Sequence, residues 1–176
     1  MIIKLRKYLS GINSRSLILD NLNKKRVGNY YDYLNSNKSK MTDAVADFFL
    51  PDWHYDPRDH KCLHDSWLEK INIFEIPLDP EDVSNLRKVN MELKLLGAYH
   101  DLYIIINYFD VSAYSFNQPK RTGSFPPPQV GHSDWLTDEL NVIDKNNYFH
   151  KIVWASEAEW IIQFKDLSFS FEEIKE

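Results

Sequence analysis

The chain has one cysteine, five glycines and no long apolar run, and each scarcity removes a class of answer. A single thiol, Cys62, excludes an internal disulfide and suits a reducing compartment. The five glycines are scattered, so there is no Gly-x-Gly-x-x-Gly turn, no Gly-Lys-Ser/Thr phosphate loop and no Gly-x-Ser-x-Gly elbow. Nucleotide binding through a glycine-rich loop therefore has no support in the sequence. No stretch reaches the roughly 18 unbroken apolar residues of a membrane span. Lys4, Arg6 and Lys7 interrupt the apolar start, and no signal peptide is expected. A cytoplasmic protein is predicted.

Acid is also scarce, but only at one end. Residues 1–40 carry nine Lys and Arg against two acids, a charge of +7, while the other 136 residues carry twelve against twenty-four, or −12; together these give the net −5. A basic, partly helical extension over residues 1–50 is thus expected ahead of an acidic, β-rich domain over 51–176, the two forming one compact unit. The Lys24-Lys25-Arg26 run near Tyr30, Tyr31 and Tyr33 has the composition of a phosphate and base contact. The acidic body would repel a phosphate backbone, so nucleic acid is not the expected partner and a basic protein is.

What is present is alternation. Val89, Met91, Leu93 and Leu95 alternate with polar residues, Leu102–Phe109 is apolar on both faces, and Leu167, Phe169 and Phe171 alternate with Ser168, Ser170 and Glu172. Further strands are predicted at 67–76, 111–116, 140–143, 148–154 and 160–164, with Asp144–Asn147 as a turn. Short connections imply antiparallel pairing. Residues 20–50 lean helical despite Gly28, with Thr42 as the N-cap of a helix stopped by Pro51, and 52–64 reads as an ordered loop. Residues 1–10 suit a short strand or one amphipathic turn. The expected class is α+β: about seven or eight strands, mostly antiparallel and meandering, with N-terminal helices packed on the sheet.

Two groups of side chains carry functional readings. In His60-Lys-Cys62-Leu-His64-Asp65 an extended backbone would turn His60, Cys62 and His64 to one side, and His54, His100 or His132 could complete a zinc-like set, with His100 the preferred fourth member. This is the basis of an alternative, metal-binding or hydrolytic reading; the first reading needs no cofactor. The second group is acidic: Asp134, Asp138, Glu139, Asp144, Glu157 and Glu159 fall around the ends of the late strands. With Trp135 and with Phe125 in the Pro119–Pro128 loop, they are expected to form a contact surface for a basic partner.

Leu63-His64-Asp65-Ser66-Trp67, Leu95-Leu96-Gly97-Ala98-Tyr99-His100-Asp101, Asp138-Glu139 and Glu159-Trp160-Ile161-Ile162 together resemble a group of small bacterial proteins. That group is similar to the immunity proteins encoded beside polymorphic or contact-dependent toxins. The resemblance covers about residues 60–173. It implies a sheet-rich α+β protein that neutralises a cognate toxin domain by binding it, with no metal and no catalytic residues to carry over. The basic extension has no counterpart in it.

Overall fold

A computed structural model describes residues 24–78, 86–118 and 131–175, and the chain falls into two units, Met1–Ser36 and Asn37–Glu176. The first ten residues, Phe125 and the Pro119–Pro128 loop lie outside the described residues. In the first unit, helix α1 (Lys24–Asn37) runs through Gly28 without breaking. Its C-terminal half is held by side chains that bond back four residues: Asn35 Nδ2 donates to the Tyr31 carbonyl and Ser36 Oγ to that of Asp32.

The second unit opens with a 3-10 turn (Lys38–Lys40) and helix α2 (Asp43–Phe49). Thr42 caps α2 as expected: its Oγ1 accepts from Val45 N at 3.3 Å and donates to Asp166 Oδ1 at 2.6 Å. Pro51 follows the helix, and a second 3-10 turn (Asp52–His54) carries Trp53 and His54.

Among the described residues eight strands then form two antiparallel sheets. They are β1 (Trp67–Pro77), β2 (Arg87–Leu96), β3 (Leu102–Phe109), β4 (Ala113–Asn117), β5 (Trp135–Asp144), β6 (Asn147–Trp154), β7 (Glu159–Phe164) and β8 (Asp166–Glu173). The orders are β1-β2-β3-β8 and β4-β7-β6-β5, so the class is α+β. The β5–β6–β7 meander follows the predicted turns. β3 passes into β4 through three residues and β7 into β8 through one, so each pair crosses from one sheet to the other. The pairings β3·β8 and β4·β7 meet at this corner, stitched by Lys165 N to the Phe109 carbonyl and Ser112 N to that of Gln163. At the other side a lone bridge, Trp67 to Asp134, links the start of β1 to the start of β5.

The core lies between the sheets. Alternate residues of β2 (Met91, Leu93, Leu95), β3 (Ile104, Ile106, Tyr108), β6 (Tyr148, His150, Ile152, Trp154) and β7 (Trp160, Ile162, Phe164) are buried. Phe48 and Phe49 of α2 close this space: Phe48 lies 5.0 Å from Phe169 on β8, and Phe49 meets His150 edge-on at 4.9 Å. Strand β1 is the edge of its sheet and leaves Trp67, Ile73, Phe74 and Ile76 exposed. A bulge between Leu68 and Lys70 and a terminal proline, Pro77, interrupt that edge, the usual devices against strand addition.

Candidate functional site

Two places gather the ionisable side chains, one inside and one at the surface. The inner one is centred on Asp138, whose side chain is 7% exposed. Its Oδ2 accepts from His54 Nε2 at 2.9 Å and from His150 Nε2 at 3.0 Å, and its Oδ1 accepts from the Trp135 indole at 3.1 Å. Because His150 turns Nε2–H toward Asp138, its Nδ1 accepts from the Tyr108 hydroxyl at 2.8 Å. Burial acts to raise the Asp138 carboxyl, but the attraction of His54 and the bonds from both imidazoles outweigh it, holding the group well below the ordinary carboxylate range. Burial also lowers the pKa of His150, which stays neutral, and pushes the Tyr108 phenol well above its usual value. Every oxygen of Asp138 is thus engaged by the protein itself. The arrangement ties the Asp52–His54 turn to β5 and β6.

These placements correct the sequence reading. Trp135 is fully buried and Asp138 is interior, so neither belongs to an exposed acidic contact surface. The reason is a bulge between Trp135 and Thr137, which turns Trp135 to the same inward side as Asp138 and Leu140. The other acids are dispersed. Glu139 sits opposite Lys151 on β6, and burial raises its pKa while Lys151 opposes the shift. Glu159 pairs with Lys151 at 3.2 Å. Asp144 stands at the exposed end of β5, and Glu157 lies in the β6–β7 turn with φ 66°.

The zinc-like set is not brought together either. Cys62 is buried, donates its thiol to the His54 carbonyl at 3.3 Å, and is pushed up to about 11 by burial, which suits neither a ligand nor a nucleophile. His60 instead pairs through Nδ1 with Asp101. His64 Nδ1 lies 3.1 Å from Asp65 Oδ1, within ion-pair distance, without the alignment of a hydrogen bond. His100 meets the Trp67 ring at 4.7 Å. Among the described residues no three His, Cys, Asp or Glu side chains converge as a metal group.

The surface gathering is where the loop before β1 meets the β2–β3 turn. Gly97 N donates to the Leu102 carbonyl at 2.9 Å; a Cβ at Gly97 would sit 3.0 Å from Leu102 Cδ1 and 3.2 Å from that carbonyl, so the turn is closed tightly around a residue without a side chain. The turn raises Tyr99 and His100 from the surface. Tyr99 stacks on His60 at 4.1 Å with the rings 11° apart, and its hydroxyl donates to the Pro57 carbonyl. Trp67 is 45% exposed and Tyr99 49% exposed, yet the Trp67 indole is anchored by donation to Asp134 at 2.6 Å. Asp65, His100 and Ser133 all hold positive φ, between 59° and 65°, a conformation that costs non-glycine residues energy and collects at functional surfaces. Two presented aromatic rings, carboxylates at Asp65 and Asp101, and strained backbone thus share one end of the second unit.

Sequence reasoning quoted Trp67 and Tyr99 as members of motifs, gave His100 a role only in the zinc-like set, and missed His54, His150 and Tyr108 as a set. His150 was detectable: the alternation Tyr148, His150, Ile152, Trp154 puts it on the inward face of β6. Comparison with known proteins finds no match: no family model, no curated protein and no solved structure matches this chain. Among the described residues no helix is long and apolar enough to cross a membrane.

Proposed function

We propose that this chain is a non-enzymatic protein-binding domain of the immunity type its motifs resemble, acting in the cytoplasm by direct contact with a cognate toxin domain. One observation carries the reading: Trp67 and Tyr99 stand exposed yet held in place, with carboxylates beside them. Large rings held in one orientation lose little entropy when a partner covers them, which is why such residues dominate binding energy. The interior supports the same direction, because Asp138 and its imidazoles are consumed by structure and Cys62 is a protonated, buried thiol.

The test is paired capture and rescue. Immobilised wild-type protein should retain one protein from its host in stoichiometric amount, and that protein, expressed alone, should be toxic unless this chain is co-expressed. Truncation of Trp67 and Tyr99 to Ala should weaken capture by about thirtyfold per ring, the factor that corresponds to a hot-spot loss of about 2 kcal/mol. A retained protein whose toxicity this chain does not relieve refutes the immunity reading. Undiminished capture by Trp67→Ala/Tyr99→Ala refutes the surface assignment.

A further inference from the structure

Resting on the protein-binding reading above, we infer that the Trp67–Tyr99 surface seats an arginine side chain of a basic partner. The occupant follows from what the surface offers. It presents π faces, on Trp67, which His100 meets at 4.7 Å yet leaves 45% exposed, and on the side of Tyr99 away from His60, and aromatic faces carry negative potential that attracts cations. Beside them stand the carboxylates of Asp65 and Asp101, both well exposed and each paired with a histidine, His64 and His60 respectively. Among the described residues two nearby permanent cations are engaged elsewhere: Arg58 is held by Asp56 through two side-chain hydrogen bonds, and Lys61 lies over the Phe171 ring at 5.4 Å. Among the described residues the site therefore has acceptors and rings but no permanent cation of its own.

Arginine fits this set better than lysine. A guanidinium is planar, stacks on a ring and at the same time offers a fork of donors to carboxylates at its edge, whereas an ammonium is a compact, strongly hydrated charge. The Trp67 indole cannot swing away to make room, since Asp134 holds its N–H, and the Tyr99 ring is braced by Pro57 and His60. The rings and the carboxylates are thus fixed before the cation arrives, which lowers the ordering entropy lost on binding.

The probe is a short blocked peptide, acetyl-Gly-Arg-Gly-amide, titrated into the full chain while indole N–H resonances are followed by NMR. The Trp67 resonance is identified by its loss in Trp67→Phe. A saturable shift of that resonance is expected, with no shift from the citrulline peptide, which keeps the shape and lacks the charge. Asp65→Asn/Asp101→Asn should weaken the response by about tenfold, since the charge-assisted bonds go with the carboxylates. An equal shift with citrulline, an equal response to the lysine peptide, or no response at Trp67 overturns the inference. If the arginine peptide fails while Trp67→Ala/Tyr99→Ala still loses the captured partner, the arginine inference falls and the protein-binding reading stands.

Discussion

Removing the Asp138 carboxylate should cost this fold a large part of its stability, and the structure sets the size. Asp138→Ala leaves three buried donors without an acceptor: His54 Nε2, His150 Nε2 and the Trp135 indole. Each orphaned donor costs about 1–3 kcal/mol, which puts the floor near 3 kcal/mol. Breaking a buried, charged contact by removing one partner costs about 3–5 kcal/mol in measured cases, so the two routes agree on about 4 kcal/mol. Against a total stability of about 5–15 kcal/mol this is a severe loss, equivalent to a fall in Tm on the order of 10 °C. Asp138→Asn keeps an acceptor but turns an amide donor toward one of the imidazoles, and should fall between the two. Asp144→Asn, at the exposed hairpin end, is the control and should stay within about 0.5 kcal/mol. Guanidinium unfolding followed by far-UV circular dichroism measures all three, with an unchanged slope confirming that only stability has moved. A loss below about 1 kcal/mol in Asp138→Ala would show that the network is not a structural tie.

The same network fixes the sign of the acid response. His150 is held neutral in the fold by burial, so the unfolded chain binds its proton more readily, and its contribution is complete above about pH 6.5 and declines below it. Asp138 is held below the ordinary carboxylate range, so its contribution is complete above about pH 4 and is lost as pH falls further. Thermal scans should therefore show Tm falling from pH 7 to 5 and falling again below 4, with His150→Gln removing much of the first decline; an identical slope in that variant would sink the neutral-imidazole assignment. The Cys62 thiol, pushed up to about 11, should react with an aromatic disulfide reagent at pH 8 at least about a hundredfold more slowly in the folded than in the denatured protein, because the reactive thiolate is scarce. Comparable rates in both states would contradict its burial.

The strands were legible because alternation is a local signal. Val89 to Leu95 and Leu167 to Phe171 declare their buried faces in the sequence, and the pattern falls where β2 and β8 do. The Thr42 cap was equally local. What the sequence withheld depends on long-range pairing. Nothing in β5 announces the bulge after Trp135, and without it Trp135 and Asp138 fall on opposite faces, so two interior residues were read as a surface. Nor does the spacing of His60, Cys62 and His64 reveal that Cys62 turns inward while His60 reaches a carboxylate of the β2–β3 turn. The motifs around Trp67 and around Tyr99 are some thirty residues apart in the chain. They become one surface only because β1 and β2 pair along nearly their whole length, setting Trp67 opposite Leu96.

That pairing also explains why the inner tie and the outer surface are neighbours. Trp135 joins them. Its indole donates to Asp138 in the interior, while its backbone accepts from Asp65 N and donates to the Ser66 carbonyl, both at 2.9 Å. The loop that delivers Trp67 is therefore hydrogen-bonded to the residue that closes the buried network. Its other end is held by the Cys62 thiol on the His54 carbonyl, and His54 itself is bonded to Asp138. Both ends of residues 62–66 are thus referenced to one buried carboxylate. A charged group in the core is a poor device for stability alone, since well-packed apolar residues often do as well. It is a good device for holding a backbone in one strained arrangement, because the bonds to Asp138 have direction and apolar contacts do not. Asp65 and His100, both at positive φ, are the residues whose conformation such rigidity must sustain. The interior polarity is best understood through the surface it positions: the network gives the exposed rings a fixed place to be found.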